Sequence, residues 1–270
     1  MNVLKKPIQK ILSALGYELT RLSETHVRFD NFVNLTQAYE RRLNDSDNLI
    51  PTNELRPKLL ARLLGTLPSE AYFIVQALAQ TKDIKGDVCE FGVAQGQTSA
   101  LIANEITLCS NKILHLFDSF EGLPKPSEKD HLKDDVLSLN NMEAYAGAMS
   151  CPEDVVRARL KAISFPPHRY MLHKGFIEQL LSKDQNLPQA VSFAYVDFDF
   201  YEPIKVALEF LHAVTSKGAM IIVDDYDFFS TGSKIAVDEF LQEKNSNGLY
   251  YDCVVPNTQY GYFALLTKRI

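Results

Sequence analysis

Two pairs of aspartates each close an apolar run: Asp197 and Asp199 in FAYVDFDFYEP, and Asp224 and Asp225 in GAMIIVDDYDFF. If both runs are parallel neighbours in a sheet, their ends stand about 4.8 Å apart and four carboxylates converge on one edge. Like charges held that close need a cation or protons among them. Oxygen donors with no histidine or cysteine beside them favour Mg²⁺ over zinc. Helix capping by Asp197 and Asp224 is the plainer alternative, and four acids at two neighbouring ends count against it.

A second feature is the strand-to-helix turn Glu90-Phe91-Gly92-Val93-Ala94-Gln95-Gly96-Gln97-Thr98. Gly92 and Gly96 allow a tight turn that brings backbone amides close to a ligand. Ala94 breaks the GxGxxG dinucleotide fingerprint, and Gly96-Gln97-Thr98 lacks the lysine of a P-loop. Glu90, just ahead of the turn, repels phosphate and suits a ligand with a cationic or hydroxyl-rich end. Asp118, in LHLFDSFEGLP, ends the next apolar run 22 residues beyond Gly96, where an acid accepts hydrogen bonds from a ribose diol. A capping role is again the alternative. Turn and acid together describe a pocket for an adenosine without a pyrophosphate, for which S-adenosylmethionine is the obvious candidate.

Positioning these groups requires strand ends brought side by side. After Gly86, short β-branched and aromatic runs alternate with helical stretches, the pattern of βα units around a mostly parallel sheet. Strands are expected at 86–91, 113–117, 169–173, 191–197, 218–224, 249–255 and 260–267, and helices most clearly at 97–110, 152–163, 203–214 and 233–244. Only PNTQ separates the last two strands, too few residues for a parallel crossover, so they form an antiparallel hairpin. The fold class is α/β, a doubly wound Rossmann-like sheet of seven strands. Helical periodicity at 29–45, 57–64 and 68–80 makes residues 1–80 an N-terminal helical segment and 81–270 the ligand-binding domain. The polar stretch 125–151 follows a strand end, where a lid or substrate loop lies in such sheets. His115 reads as a core histidine, while His173 with Lys174 is placed at the pocket rim. Aromatics around the acids, among them Phe198 and Phe228, include candidates to stack on a sugar or aromatic acceptor.

Composition narrows the partners. With 270 residues, 46% hydrophobic, 23% charged and a net charge of −6, the chain has the balance of a globular protein with an ample core. No basic stripe suits a nucleic acid, and no apolar run approaches the roughly 20 residues of a membrane span. The cysteines Cys89, Cys109, Cys151 and Cys253 include no CxxC pair, which fits reduced thiols in a cytoplasm. A small-molecule partner is expected.

In order along the chain, VCEFGVAQGQT, LFDSFEGLP, HKGFIEQLL, FAYVDFDFYEP, KGAMIIVDDY and GSKIAVDEF resemble the macrocin O-methyltransferase (TylF/MycF-type) family. That resemblance implies a class I methyltransferase fold and a Mg²⁺-dependent O-methyltransferase that uses S-adenosylmethionine, often on sugars. It further implies that Glu90, Gly92 and Gly96 shape the cofactor pocket and that Asp118 with Ser119 holds the ribose. Asp197, Asp224 and Asp225 are implied as metal ligands and Asp199 as the base. This chain departs from the family pattern with Phe198, Phe200 and Glu202-Pro203, all on the acceptor side, so a macrolide-sugar substrate is not carried over. The chemistry expected is methyl inversion, with the acceptor oxygen aligned behind the sulfonium and its proton taken by a carboxylate. Catechol-type O-methylation is the rival within the class. A nucleotide-sugar transferase reading Asp197-Phe198-Asp199 as a DxD site is the rival outside it, and it leaves the glycine turn and Asp118 idle. A non-catalytic regulator that keeps only the adenosine pocket has no use for the acid cluster.

Residues 1–22 carry Leu4, Ile8, Ile11, Leu12, Leu15, Leu19 and Leu22 at helical spacing with a charge of +3. Such a helix either packs on the body or on a second subunit, giving a homo-oligomer, or rests on an anionic membrane surface. Deletion of residues 1–22 separates the two. Packing predicts a changed oligomer mass in sedimentation, and lipid contact predicts lost co-sedimentation with anionic vesicles.

Overall fold

A computed structural model describes residue 50 and residues 53–270 except 110 and 247. The helices expected within 1–22 and 29–45 lie outside the described residues. The described chain begins with α1 (Arg56–Leu60) and α2 (Pro68–Gln80). It continues through β1 (Asp87–Phe91), α3 (Gln97–Cys109), β2 (Leu114–Asp118), α4 (Glu153–Ala162), β3 (Tyr170–Lys174) and α5 (Ile177–Lys183). It closes with β4 (Val191–Val196), α6 (Tyr201–Val214), β5 (Thr215–Val223), α7 (Thr231–Asn245), β6 (Tyr251–Val254) and β7 (Ala264–Lys268).

The seven strands form one sheet in the order β3-β2-β1-β4-β5-β7-β6. All neighbours are parallel except β7, which runs antiparallel to both β5 and β6. The terminal hairpin is therefore as expected. Its second strand starts at Ala264 rather than 260, because Thr258–Tyr260 makes a 3₁₀ turn and Gly261 takes φ 133°. Other ends shift for local reasons. Pro203 is accommodated in the first turn of α6, where no amide is required, so the helix opens at Tyr201. The Ser230 side chain accepts from the Gly232 amide at 2.9 Å and starts α7 two residues earlier than 233.

Alternation along the strands divides the core into two layers. Phe91, Phe117, Ala194, Val196, Ile221 and Val223 pack with α5, α6 and α7 on one face. Val88, Leu116, Phe193, Tyr195 and Ile222 pack with α2, α3 and α4 on the other. Helix α2, from the N-terminal helical segment, thus helps bury the sheet. Glu90 shares the second face's alternation with Val88, and burial pushes its carboxyl up to about 8, with the Ser99 hydroxyl opposing and the Asp118 charge adding. His115 and His173 are both buried, their Nδ1 and Nε2 2.9 Å apart, and His173 Nδ1 lies 2.6 Å from Asp184 Oδ2. His173 accordingly belongs to the core rather than to the pocket rim, since strand alternation turns it toward His115 and the Phe117 ring.

The β1 end is fitted to the β4 end with no room to spare. Gly92 (φ 86°) donates its amide to Phe117 O at 2.9 Å, and Asp197 donates to Phe91 O at 2.7 Å. A Cβ on Gly92 would stand 1.8 Å from the Asp197 carbonyl oxygen. Gly65 shares the conformation, with φ 88°, but has nothing within 4 Å of its would-be Cβ. Gly65→Ala should cost about 1 kcal/mol for its backbone alone, and Gly92→Ala at least about 2 kcal/mol more, measured by urea unfolding. Glu90 supplies a pH test. Its folded pKa of about 8 exceeds the ordinary glutamate value of 4.5, so the unfolded chain ionises first and stability falls as pH rises through that window. Glu90→Gln should flatten this decline, by up to about 1.4 kcal/mol per pH unit.

Candidate active site

All the expected site residues lie at the carboxyl edge of the sheet, but they differ in what they face. A cavity of about 580 Å³ opens there, within the usual range for a small-molecule site. Gly92, Ala94, Gln95, Asp118 and Ser119 form one end, and Asp197, Asp199, Asp224 and Asp225 form the other. Gly96 is not in the wall. It turns at φ 75° against α4, where its would-be Cβ meets Val156 at 3.1 Å. Glu90 is also absent from the lining, and its Oε2 has no hydrogen-bond partner among the described residues.

Asp118 has a double task. Its Oδ2 accepts the amides of Val93 (2.7 Å) and Ala94 (2.9 Å), and its Oδ1 accepts from Phe120 at 2.6 Å. It therefore clamps the glycine turn to the end of β2, and no helix follows for it to cap. A carboxylate has about four lone-pair sites, so acceptor capacity remains for a ligand in the cavity. The Ser119 hydroxyl is engaged in its own turn, donating to Gly122 O at 2.9 Å and accepting the Glu121 amide at 3.0 Å. An acidic turn whose amides are already taken suits a hydroxyl-rich or cationic ligand and not a pyrophosphate.

At the other end, carboxylate oxygens of Asp197, Asp199 and Asp225 all lie within 4.8 Å of one another. Asp199 and Asp225 are held in left-handed conformation, φ 61° and 54°, which aspartate tolerates better than most residues. Burial holds all three carboxyls well above the usual range, and repulsion from neighbouring acids adds to it. The donor set is all oxygen and facultatively anionic, which fits a hard divalent cation such as Mg²⁺. Asp224, expected as a ligand, also lines the cavity, and each of its oxygens already accepts one hydrogen bond. Its Oδ2 accepts from the Tyr195 hydroxyl at 2.6 Å and its Oδ1 from the Asp225 amide at 2.7 Å. Asp199, expected as the base, stands within the same group beside Asp197 and Asp225.

Glu70 and Tyr195 escaped sequence reasoning. Glu70, buried in the first turn of α2, feels Asp224 closely, and burial and then the Asp224 charge push its carboxyl well up. Nothing local distinguishes it from an acid at an ordinary helix start. Tyr195 did carry a signal, as a polar-tipped residue in a buried run two positions before Asp197.

Residues 125–151 supply part of the cavity wall, at the place expected of a lid or substrate loop. Val136, Leu137, Met149 and Ser150 line the cavity, while Met142 and Tyr145 pack on Phe200 and Phe229. Asp130 fastens the segment to the body, accepting from the Tyr201 amide (2.8 Å) and from Ser230 Oγ (3.1 Å). Asp135 in turn collects the Tyr145 hydroxyl at 2.7 Å and the Leu139 amide at 2.8 Å. Phe198 and Phe228 line the cavity, whereas Phe200 is buried away from it. Phe228 is backed by Tyr262, the rings stacked at 4.7 Å.

Comparison with known proteins bears on this geometry. A curated relative, the 8-demethyl-8-(2,3-dimethoxy-alpha-L-rhamnosyl)-tetracenomycin-C 4'-O-methyltransferase of Streptomyces olivaceus, is 27% identical over 165 residues. The match spans 60% of this chain and only 60% of that relative. The O-methyltransferase NovP has the same fold, with TM-score 0.62 and 18% identity over 92% of this chain and 99% of NovP. So does CalS11, a calicheamicin methyltransferase, with TM-score 0.58 and 22% identity over 95% of this chain and 96% of CalS11. The family model described as macrocin-O-methyltransferase (TylF) matches residues 54–250, a span that takes in the glycine turn, the Asp118 clamp and the acids of β4 and β5. With most of its length and both ends of its cavity inside that match, the chain belongs to the macrocin O-methyltransferase family.

Proposed function

We propose that this protein transfers a methyl group from S-adenosylmethionine to a hydroxyl of a sugar or glycoside, with Mg²⁺ as cofactor. The observation that carries the reading is that the three-carboxylate group shares one cavity with the Asp118-clamped glycine turn. The sugar acceptor is supported by the relative named for methylating a rhamnosyl group. Free thiols at Cys89, Cys151 and Cys253 support a reducing compartment such as the cytoplasm. Among the described residues no helix is long and apolar enough to cross a membrane.

Roles follow from place. S-adenosylmethionine supplies a methyl on a sulfonium leaving group, and Mg²⁺ supplies positive charge that lowers the pKa of an acceptor hydroxyl. Asp118 offers its remaining lone pairs to the ribose diol, and Ala94 and Gln95 wall the donor end. Asp197, Asp224 and Asp225 would hold the cation, and Asp199, its carboxylate within 4.8 Å of those of Asp197 and Asp225, receives the acceptor proton. Phe198 and Phe228 offer rings to the acceptor, and Leu137 and Met149 keep water from it.

Calorimetric titration with S-adenosylhomocysteine tests the donor pocket, and absence of binding by folded protein removes the proposal. Acceptor profiling tests the rest: turnover on catechols but not glycosides would move the protein to the phenol class. Asp197→Ala should raise the Mg²⁺ requirement, with activity partly restored by excess metal. Asp199→Asn should lower kcat about 100-fold or more at saturating Mg²⁺, with cofactor affinity little changed. Full turnover by Asp199→Asn would show that the proton leaves by another route.

A further inference from the structure

Tyr195 sits on the last turn of the pleat before the acids, on the sheet face packed by α2 and α3, and is fully buried. A phenol has one proton to give, and its oxygen has two neighbours: Asp224 Oδ2 at 2.6 Å and Thr66 Oγ1 at 3.3 Å. A carboxylate only accepts, so the phenolic proton goes to Asp224 and the Thr66 hydroxyl donates to the phenol oxygen. Thr66 Oγ1 also lies 2.7 Å from Thr98 Oγ1, in the first turn of α3. Asp224 gives its other oxygen to the amide of the next residue, Asp225, which takes φ 54° and carries the third carboxylate of the group.

We infer that Tyr195 is a positioning residue of the cation site: its hydroxyl fixes the Asp224 carboxylate, and Asp224 fixes the turn that presents Asp225 to Asp197 and Asp199. This rests on the proposed reading that Asp197, Asp224 and Asp225 hold a divalent cation. Tyr195 is absent from the cavity lining and reaches the cation group only through Asp224. Without its hydroxyl, Asp224 is a buried charge short of a donor, beside acids that already repel it. The carboxylate then turns from its place, and the amide bond that shapes the Asp225 turn goes with it. Second-layer groups of this kind commonly carry a 10- to 100-fold share of metal affinity.

The test is Mg²⁺ titration by calorimetry of the full chain without acceptor, alongside S-adenosylhomocysteine titration and a melting curve. Tyr195→Phe keeps the ring and removes one oxygen, and should raise the Mg²⁺ dissociation constant about 10-fold. Its affinity for S-adenosylhomocysteine should stay within about twofold of the parent. Thr66→Val removes a buried hydroxyl from the same chain but leaves the Tyr195–Asp224 bond, so its Mg²⁺ affinity should stay near that of the parent. Equal Mg²⁺ binding by Tyr195→Phe and the parent would overturn the inference. So would an equal loss in Thr66→Val, which would mark a general disturbance of packing. A parent protein that binds S-adenosylhomocysteine but no Mg²⁺ would instead remove the cation reading on which the inference stands.

Discussion

Negative charge gathered at the ends of β4 and β5 is the constraint around which this edge of the molecule is arranged. Three carboxylates have oxygens within 4.8 Å of one another, Asp224 lines the cavity with them, and Glu70 adds a further acid whose carboxyl is pushed up by burial and then by Asp224 and Asp197. Burial and mutual repulsion oppose ionisation of every member, so the arrangement persists only with a cation or with protons among the acids. A group that costs free energy in the folded state and faces a cavity has the character of a functional site rather than a packing device. Two of its members also sit at positive φ, a further local cost concentrated at the same place.

The surrounding structure sets distances between that group and the donor end of the cavity. Gly92 lies against the Asp197 carbonyl, so the glycine turn and the first acid are joined through backbone with no side chain between them. Asp118 then clamps the far side of the turn to β2. Methyl transfer depends on alignment of donor and acceptor to within a fraction of an ångström. Two ends tied by main-chain contacts on a single parallel sheet supply a rigid frame for it. Variation is left to the lid-like segment, whose aliphatic side chains face the acceptor region while Asp130 and Asp135 hold its backbone.

Aromatic residues near the acids serve two surfaces. Phe198, Phe228 and Phe229 reach the cavity, while Phe200 lies wholly in the small core that it forms with Phe229, Tyr145 and Met142 and that anchors the lid. One cluster of rings in the sequence thus serves two ends, acceptor contact and lid attachment. Likewise the two histidines on β2 and β3 pair with each other in the core, stacked in line with Phe117 and Phe91.

The chain's own pattern was enough to determine the strands and their hairpin, the glycine turn, and the acids at the ends of the second, fourth and fifth strands. These are local properties, since alternation, turn chemistry and loop length are all written in consecutive residues. Which carboxylates face one another was not local. Asp197, Asp199, Asp224 and Asp225 all follow strand ends in the sequence, and only the tertiary structure shows what each of them meets. Tyr195 and Glu70 claim Asp224, while left-handed turns bring Asp199 and Asp225 to Asp197. Glu70 is 154 positions from Asp224 in the chain, and its approach is decided by how α2 packs on the sheet. The same holds for His173, whose rim position looked natural at a strand end until the neighbouring strand placed His115 beside it. Side-chain direction at a strand end depends on the hydrogen-bond donors that other elements bring, and those arrive only when the layers pack.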